Sequence, residues 1–120
     1  MHRFLKTANT ILYSAKWEKT VAFYREGLRL PVLFSTRWFV EFALTGTARL
    51  SIADARHATI KPGSEHGMTL SLEVDDLQAA WNAVRSTGLQ PTDVRPHAWN
   101  ARVFHLFDPE GRRLEFWQRV

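Results

Sequence analysis

Hydrophobic positions along the chain change their period at regular intervals, and each change marks an element. Residues 4–13 read as a strand that passes through Ser14-Ala15-Lys16 into a helix. There Trp17, Val21, Tyr24 and Leu28 recur at i, i+4, i+7 and i+11, one stripe of a 3.6-residue period. Gly27 and the extended Leu30-Pro31-Val32 are expected to stop it. Strand-like pieces follow over 32–35, 38–44 and 49–54, with Leu44-Thr45-Gly46-Thr47 as the turn between the last two. The order is β-α-β-β-β.

The second half repeats that order. Residues 68–74 alternate as a strand, and Asp75 can cap a helix with Gln78 three residues on. Leu77, Ala80, Trp81 and Val84 form its buried stripe, and Gly88 is the expected stop. Residues 91–94, 101–107 and 112–118 read as three further strands, with Asp108-Pro109-Glu110-Gly111 as a hairpin turn. Residues 55–66 read as a connector between modules 4–54 and 67–118, within one domain over 1–120. A local echo supports the duplication: Arg49-Leu50-Ser51-Ile52 returns as Arg113-Leu114-Glu115-Phe116. Short sheets with one helix each cannot hide both faces alone, so the modules are expected to pack across a shared cavity.

Composition narrows the class. At 45% hydrophobic and 23% charged residues, the chain is globular rather than disordered. Zero cysteines excludes disulfides, thiolate metal sites and a cysteine nucleophile. No apolar run is long enough to span a bilayer and Met1-His2-Arg3-Phe4-Leu5-Lys6 does not open a secretory signal, so a cytoplasmic protein with no membrane partner is expected. The net charge of +4 is spread along the chain with no basic run beyond Arg112-Arg113, which argues against a nucleic-acid partner and for neutral or anionic small molecules over polycations.

Several segments resemble the vicinal oxygen chelate superfamily, which includes glyoxalase I, bleomycin-resistance proteins, fosfomycin-resistance enzymes and extradiol dioxygenases. They are Lys16 to Tyr24 with Leu28-Arg29-Leu30-Pro31-Val32, Trp38-Phe39-Val40-Glu41-Phe42, Leu72-Glu73-Val74-Asp75-Asp76-Leu77, and above all Phe107-Asp108-Pro109-Glu110-Gly111-Arg112-Arg113-Leu114-Glu115-Phe116. The similarity runs from about Asn9 to Trp117. Two positions depart from the pattern: Lys16 stands where aspartate commonly caps the first helix, and Arg29 where glycine is common. The resemblance implies an α+β fold in which two β-α-β-β-β modules form an open, barrel-like cleft, with a homodimer as the common assembly. It also implies that the metal-ligand positions of the family fall on Asn9, Ser51, Thr69 and Glu115.

That quartet is poor in donors. Catalytic divalent ions take imidazole or carboxylate ligands, usually three or more from protein. Here Glu115 alone is a competent anionic ligand, beside a neutral amide and two hydroxyls, so no metal or other cofactor is expected. His57, His66, His97 and His2 fall in loops or at the terminus, leaving His105 in the seventh strand. A simple hairpin at 108–111 places Phe104 opposite Glu115 and His105 on the other face with Leu114, and a one-residue slip would exchange those faces. Glu115 is the candidate catalytic residue, as a general base if burial raises its pKa. The alternative is a structural carboxylate held by Arg102 or Arg113.

The tryptophans complete the candidate site. Trp17 and Trp81 belong to helix stripes, while Trp38, Trp99 and Trp117 sit at strand ends or loops. Strand parity groups Trp117, Glu115 and Arg113 with Arg102, Phe104 and Leu106, Tyr13 and Ile11 with Asn9, and Ser71 and Glu73 with Thr69. The expected ligand-binding set is therefore Asn9, Tyr13, Trp38, Ser51, Thr69, Trp99, Arg102, Phe104 and Trp117. An aromatic cleft with a few polar groups suits a small aromatic or amphipathic molecule. A metal-free binding protein is the leading expectation; a metal-dependent lyase, isomerase or dioxygenase using displaced ligands such as His105 and Glu115 is the alternative.

Overall fold

A computed structural model describes residues 1–59, 63, 67–98 and 100–120. It divides into two compact units, Met1–Gly63 and Ser64–Val120. In the first, strands β1 (Ala8–Ser14), β2 (Val32–Ser35), β3 (Phe39–Ala43) and β4 (Ala48–Asp54) form an open sheet in the order β1-β4-β3-β2. β1 runs parallel to β4, and the other neighbours are antiparallel. A parallel pair needs a crossover, and here it carries helix α1 (Trp17–Ala22) and a π turn (Phe23–Gly27). Alternation in β3 and β4 sends Val40, Phe42, Leu50 and Ile52 to the face that buries them together with Val21 and Tyr24 of the helical segment. The opposite face carries Asn9, Glu41, Arg49 and Ser51.

Three details differ from the expected elements. β1 begins at Ala8 rather than at residue 4, because His2–Phe4 closes a 3-10 turn of its own. Gly27 does not stop the first helix. It is buried inside the π turn, which closes through Leu28 N donating to Phe23 O at 2.9 Å, and the reversal falls on Arg29 at φ 56°. The missing aspartate cap at Lys16 is partly replaced by Ser14, whose Oγ accepts from Lys16 N and donates to Thr20 Oγ1 at 2.9 Å.

The second unit repeats the topology. Strands β5 (Thr69–Glu73), β6 (Arg95–His97), β7 (Ala101–Phe107) and β8 (Arg113–Arg119) order as β5-β8-β7-β6, with β5 parallel to β8. Helix α2 (Leu77–Ser86) is capped by Asp76, one residue later than expected, through Ala79 N at 3.0 Å. Its first turn is tied to the sheet by Leu77 N donating to Gln118 Oε1 at 2.8 Å, and Gly88 at φ 90° ends it as expected. Phe104 and Phe116 stack at 4.9 Å and are buried with Leu106 and Leu114 on one face of the sheet. The sixth strand occupies 95–97 rather than 91–94. Proline does not decide this, since Pro96 sits inside the observed strand; of residues 91–94, Thr92 alone bonds to β7, through His105, and one such tie does not make a ladder.

The β7–β8 register also departs from expectation, by one residue. Phe107 pairs with Arg113, so the turn holds five residues, 108–112, and not four. Arg112 is drawn into it: Nη1 reaches Asp108 Oδ2 at 3.0 Å, its N donates to Asp108 Oδ1 at 3.0 Å, and both residues are buried. The slip moves every side chain of β7 to the opposite partner face. Phe104 therefore faces Phe116, and His105 faces Glu115.

Candidate functional site

The face of the second sheet that carries Glu115 also carries Ser71 of β5, His105 of β7 and Trp117 of β8. Ser71 Oγ donates to Glu115 Oε1 at 3.0 Å, and His105 Nε2 lies 3.4 Å from Glu115 Oε2. His105 is fixed from behind. Its N donates to Thr92 Oγ1 at 2.8 Å, its carbonyl accepts from Thr92 N at 3.0 Å, and Trp81 Nε1 donates to Thr92 O at 2.9 Å. A chain of contacts thus runs from helix α2 to the carboxylate. A cavity of about 210 Å³ opens beside it, lined by Ser71, His97, Ala98, Ala101, Glu115, Trp117 and Arg119.

Electrostatics in this cavity run against a basic carboxylate. Partial burial pushes the Glu115 pKa up, but the hydrogen bonds from Ser71 and His105, with the positive charges of His105 and His97, outweigh it. The net direction is down, below the ordinary glutamate value. The raised pKa on which a general-base role depended is therefore absent, and Glu115 is held as an ionised acceptor. Neither Arg102 nor Arg113 is what holds it. Arg113 Nε donates to Thr69 Oγ1 at 3.0 Å, and Arg102 pairs with Gln118 and is exposed.

The remaining expected residues scatter. Asn9, Tyr13 and Ser51 share a face of the first sheet, where Ser51 Oγ donates to Asn9 Oδ1 at 2.9 Å. Trp38 precedes β3, with its ring stacked on His57 at 4.7 Å and Arg37 5.5 Å from its centroid. Phe104 is fully buried on the face opposite Glu115 and leaves the candidate set, as does Arg102. Trp99 lies outside the described residues. Glu115 and Trp117 are thus the two expected residues that line the cavity. His97, Arg119 and Ser71 join them; of these, Ser71 was legible from its parity with Thr69.

The donor set is poor for a transition metal. Of the four family ligand positions, Asn9 Oδ1 and Thr69 Oγ1 already accept hydrogen bonds, and Ser51 is a protonated hydroxyl. Among the described residues no three His, Asp or Glu side chains gather where an ion could be held. A carboxylate with neutral oxygens does not fit such an ion.

The family model of the Glyoxalase/Bleomycin resistance protein/Dioxygenase superfamily matches residues 6–116. The chain belongs to this superfamily. A glyoxalase/bleomycin resistance protein from Catenulispora acidiphila superposes with a TM-score of 0.77 at 18% identity, covering 95% of this chain and 98% of that one. TnmS3, an antibiotic binding protein from a Streptomyces species, gives 0.75 at 22%, with 95% of each chain covered. Lactoylglutathione lyase from Agrobacterium tumefaciens gives 0.74 at 16%, covering 92% of this chain and 91% of that one. At these identities the superpositions speak for the superfamily fold alone. No curated protein matches the chain.

Proposed function

We propose that this superfamily member is a cytoplasmic small-molecule-binding protein that works without a resident metal and holds an aromatic or amphipathic ligand. The observation that carries the reading is the cavity of about 210 Å³ beside Glu115, where Trp117, Ala98 and Ala101 supply apolar wall and Ser71, His97 and Glu115 supply polar groups. Apolar lining with a few fixed polar groups is what a small-molecule site requires. The donor chemistry at Asn9, Ser51 and Thr69 supports binding over metal-dependent turnover, and the likeness to an antibiotic binding protein is compatible with a drug or drug-like ligand. Among the described residues no helix is long and apolar enough to cross a membrane.

The test is quenching of intrinsic tryptophan fluorescence by a panel of aromatic metabolites and antibiotics, repeated on Trp117→Ala. Saturable quenching that weakens in the variant supports the reading; a panel without any saturable response sinks it. A homodimer is part of the proposal. It is supported by the edge strand β2, where Val32, Leu33 and Phe34 are 42%, 49% and 55% exposed in a single chain. Sedimentation at the 13.9 kDa monomer mass would remove it.

One observation favours a second reading, a metal-dependent lyase, isomerase or dioxygenase with displaced ligands. His105 and Glu115 bring an imidazole and a carboxylate within 3.4 Å of each other. Stoichiometric metal in the purified protein, stripped by a chelator with loss of thermal stability, would select it over the first.

A further inference from the structure

The cavity lining carries one carboxylate, Glu115, and this bears on which ligands it takes. Resting on the ligand-binding reading above, the inference starts from spare acceptor capacity on Glu115. An ionised carboxylate accepts about four hydrogen bonds and donates none. Ser71 supplies one donor at 3.0 Å, and His105 supplies a second at 3.4 Å, beyond good hydrogen-bond length. Among the described residues, acceptor positions are left over on this side chain, which lines the cavity.

The guanidinium that lines this cavity, Arg119, already has an acidic partner. Arg119 Nε is engaged by Glu73 Oε2 at 3.2 Å, and its guanidinium lies over Trp117, 5.0 Å from the ring centroid. Arg113 donates to Thr69 and is not among the residues that line the cavity. Trp117, Ala98 and Ala101 offer flat apolar wall beside this acceptor.

We propose that the cavity selects planar ligands presenting a hydrogen-bond donor, a phenolic hydroxyl or an N–H, to Glu115, and rejects ligands presenting a carboxylate at the same place. The net charge of +4 sets neutral or anionic ligands above polycations but does not separate a neutral donor from a carboxylate. A carboxylate in contact with Glu115 is repelled at close range, while the Arg119 guanidinium at the cavity is already paired with Glu73 and cations farther off are screened by salt.

The test compares 2-naphthol with 2-naphthoate, which share one ring system, by isothermal titration calorimetry at neutral pH. The wild-type chain should bind 2-naphthol at least about tenfold more tightly, the equivalent of one charge-assisted hydrogen bond. Glu115→Gln, which keeps an acceptor oxygen but loses the charge, should weaken 2-naphthol binding, relieve the repulsion of 2-naphthoate and bring the two within about threefold. Ser71→Ala, which frees a further acceptor position, should keep or widen the wild-type ratio and covers the case in which Glu115→Gln does not fold. Equal or tighter binding of 2-naphthoate by the wild type overturns the proposal while leaving the ligand-binding reading intact, as does an unchanged ratio in Glu115→Gln or a collapsed one in Ser71→Ala. Absence of binding by both probes overturns the proposal, and the ligand-binding reading falls with it only if the wider fluorescence panel is also blank.

Discussion

In the first unit Glu41 stands opposite Ser51; in the second, His105 stands opposite Glu115. The two pairs occupy the same place in the same topology, each beside a five-residue turn. Ala43 pairs with Arg49 around residues 44–48, as Phe107 pairs with Arg113 around 108–112. Leu44 N donates to Ala48 O at 2.9 Å, and Asp108 N to Arg112 O at the same distance. The polar groups on these scaffolds are connected differently. The first unit places its carboxylate on β3, where Glu41 approaches Arg49 at 3.6 Å, and leaves Ser51 to bond Asn9. The second places it on β8, ringed by Ser71 and His105 and open to a cavity. Duplication preserved the frame, then, while the chemistry on each copy diverged.

The largest break in this comparison is expected at the turns. Asp108 and Arg112 form an ion pair with both side chains buried, a pair with no counterpart at Leu44 and Ala48. Removing one partner strands a buried charge, so Asp108→Ala should cost about 3–5 kcal/mol in urea denaturation. Leu44→Ala, at a half-buried site, should cost about 1–2 kcal/mol. If the two variants lose equal stability, the buried pair is not what anchors the second turn.

Next in size is the contrast between two tryptophans. Trp117→Ala removes a wall of the cavity and should weaken 2-naphthol binding about tenfold. Trp38→Ala, whose ring is stacked on His57 in the other unit, should leave binding within about twofold. A large loss from Trp38→Ala would move the site out of the second unit.

Acid provides a smaller and more selective probe. The pKa of Glu115 lies below its ordinary value, so its contribution to stability is present above the unfolded value, ~4.3, and fades as pH falls through the lower folded one. The denaturation midpoint of the wild type should fall across that window relative to Glu115→Gln. At Ser51, the matching position in the first unit, there is no group to titrate, so Ser51→Ala should run parallel to the wild type. A difference between wild type and Glu115→Gln that stays flat from neutral pH to acid would contradict the lowered pKa.

Much of the fold was legible because it rests on periodicity: the helix stripe at Val21 and Tyr24, the alternation in β4 and β8, the stop at Gly88. The site was less so, since it turns on a single residue of register. Counting the hairpin as Asp108 to Gly111 puts Phe104 beside Glu115, whereas the observed turn includes Arg112 and brings His105 there instead. The echo held the needed signal. Arg49 and Arg113 both follow a five-residue turn, and aligning the two halves through it places His105 with Glu41. What no local pattern encodes is that Arg112, a charged residue in a surface-like sequence, is 1% exposed. Burial of that kind follows from pairing across the turn, not from hydropathy. His97 and Arg119 were out of reach for a related reason, as their place at the cavity depends on how β6 and the end of β8 lie in the sheet.

The smallest expected effect lies where the two helical segments end. The second unit reverses its chain at Gly88, φ 90°, and the first does so at Arg29, φ 56°. Both angles are in the left-handed region, which glycine enters freely and which costs a side chain about 1–2 kcal/mol through crowding of Cβ against the backbone. Arg29 is exposed, and among the described residues its side chain has no hydrogen-bond partner that would offset this. Replacing it with glycine relieves the strain but also loosens the unfolded chain, which takes back part of the gain. Arg29→Gly should therefore stabilise the protein by about 0.5–1 kcal/mol, whereas Gly88→Ala should destabilise it by about 1 kcal/mol or more. Opposite signs at the two helix ends, read from urea midpoints at constant m-value, would show that the halves still share one reversal geometry although only one kept its glycine. A neutral or destabilising Arg29→Gly would mean that the arginine side chain contributes something at that corner which outweighs its backbone strain.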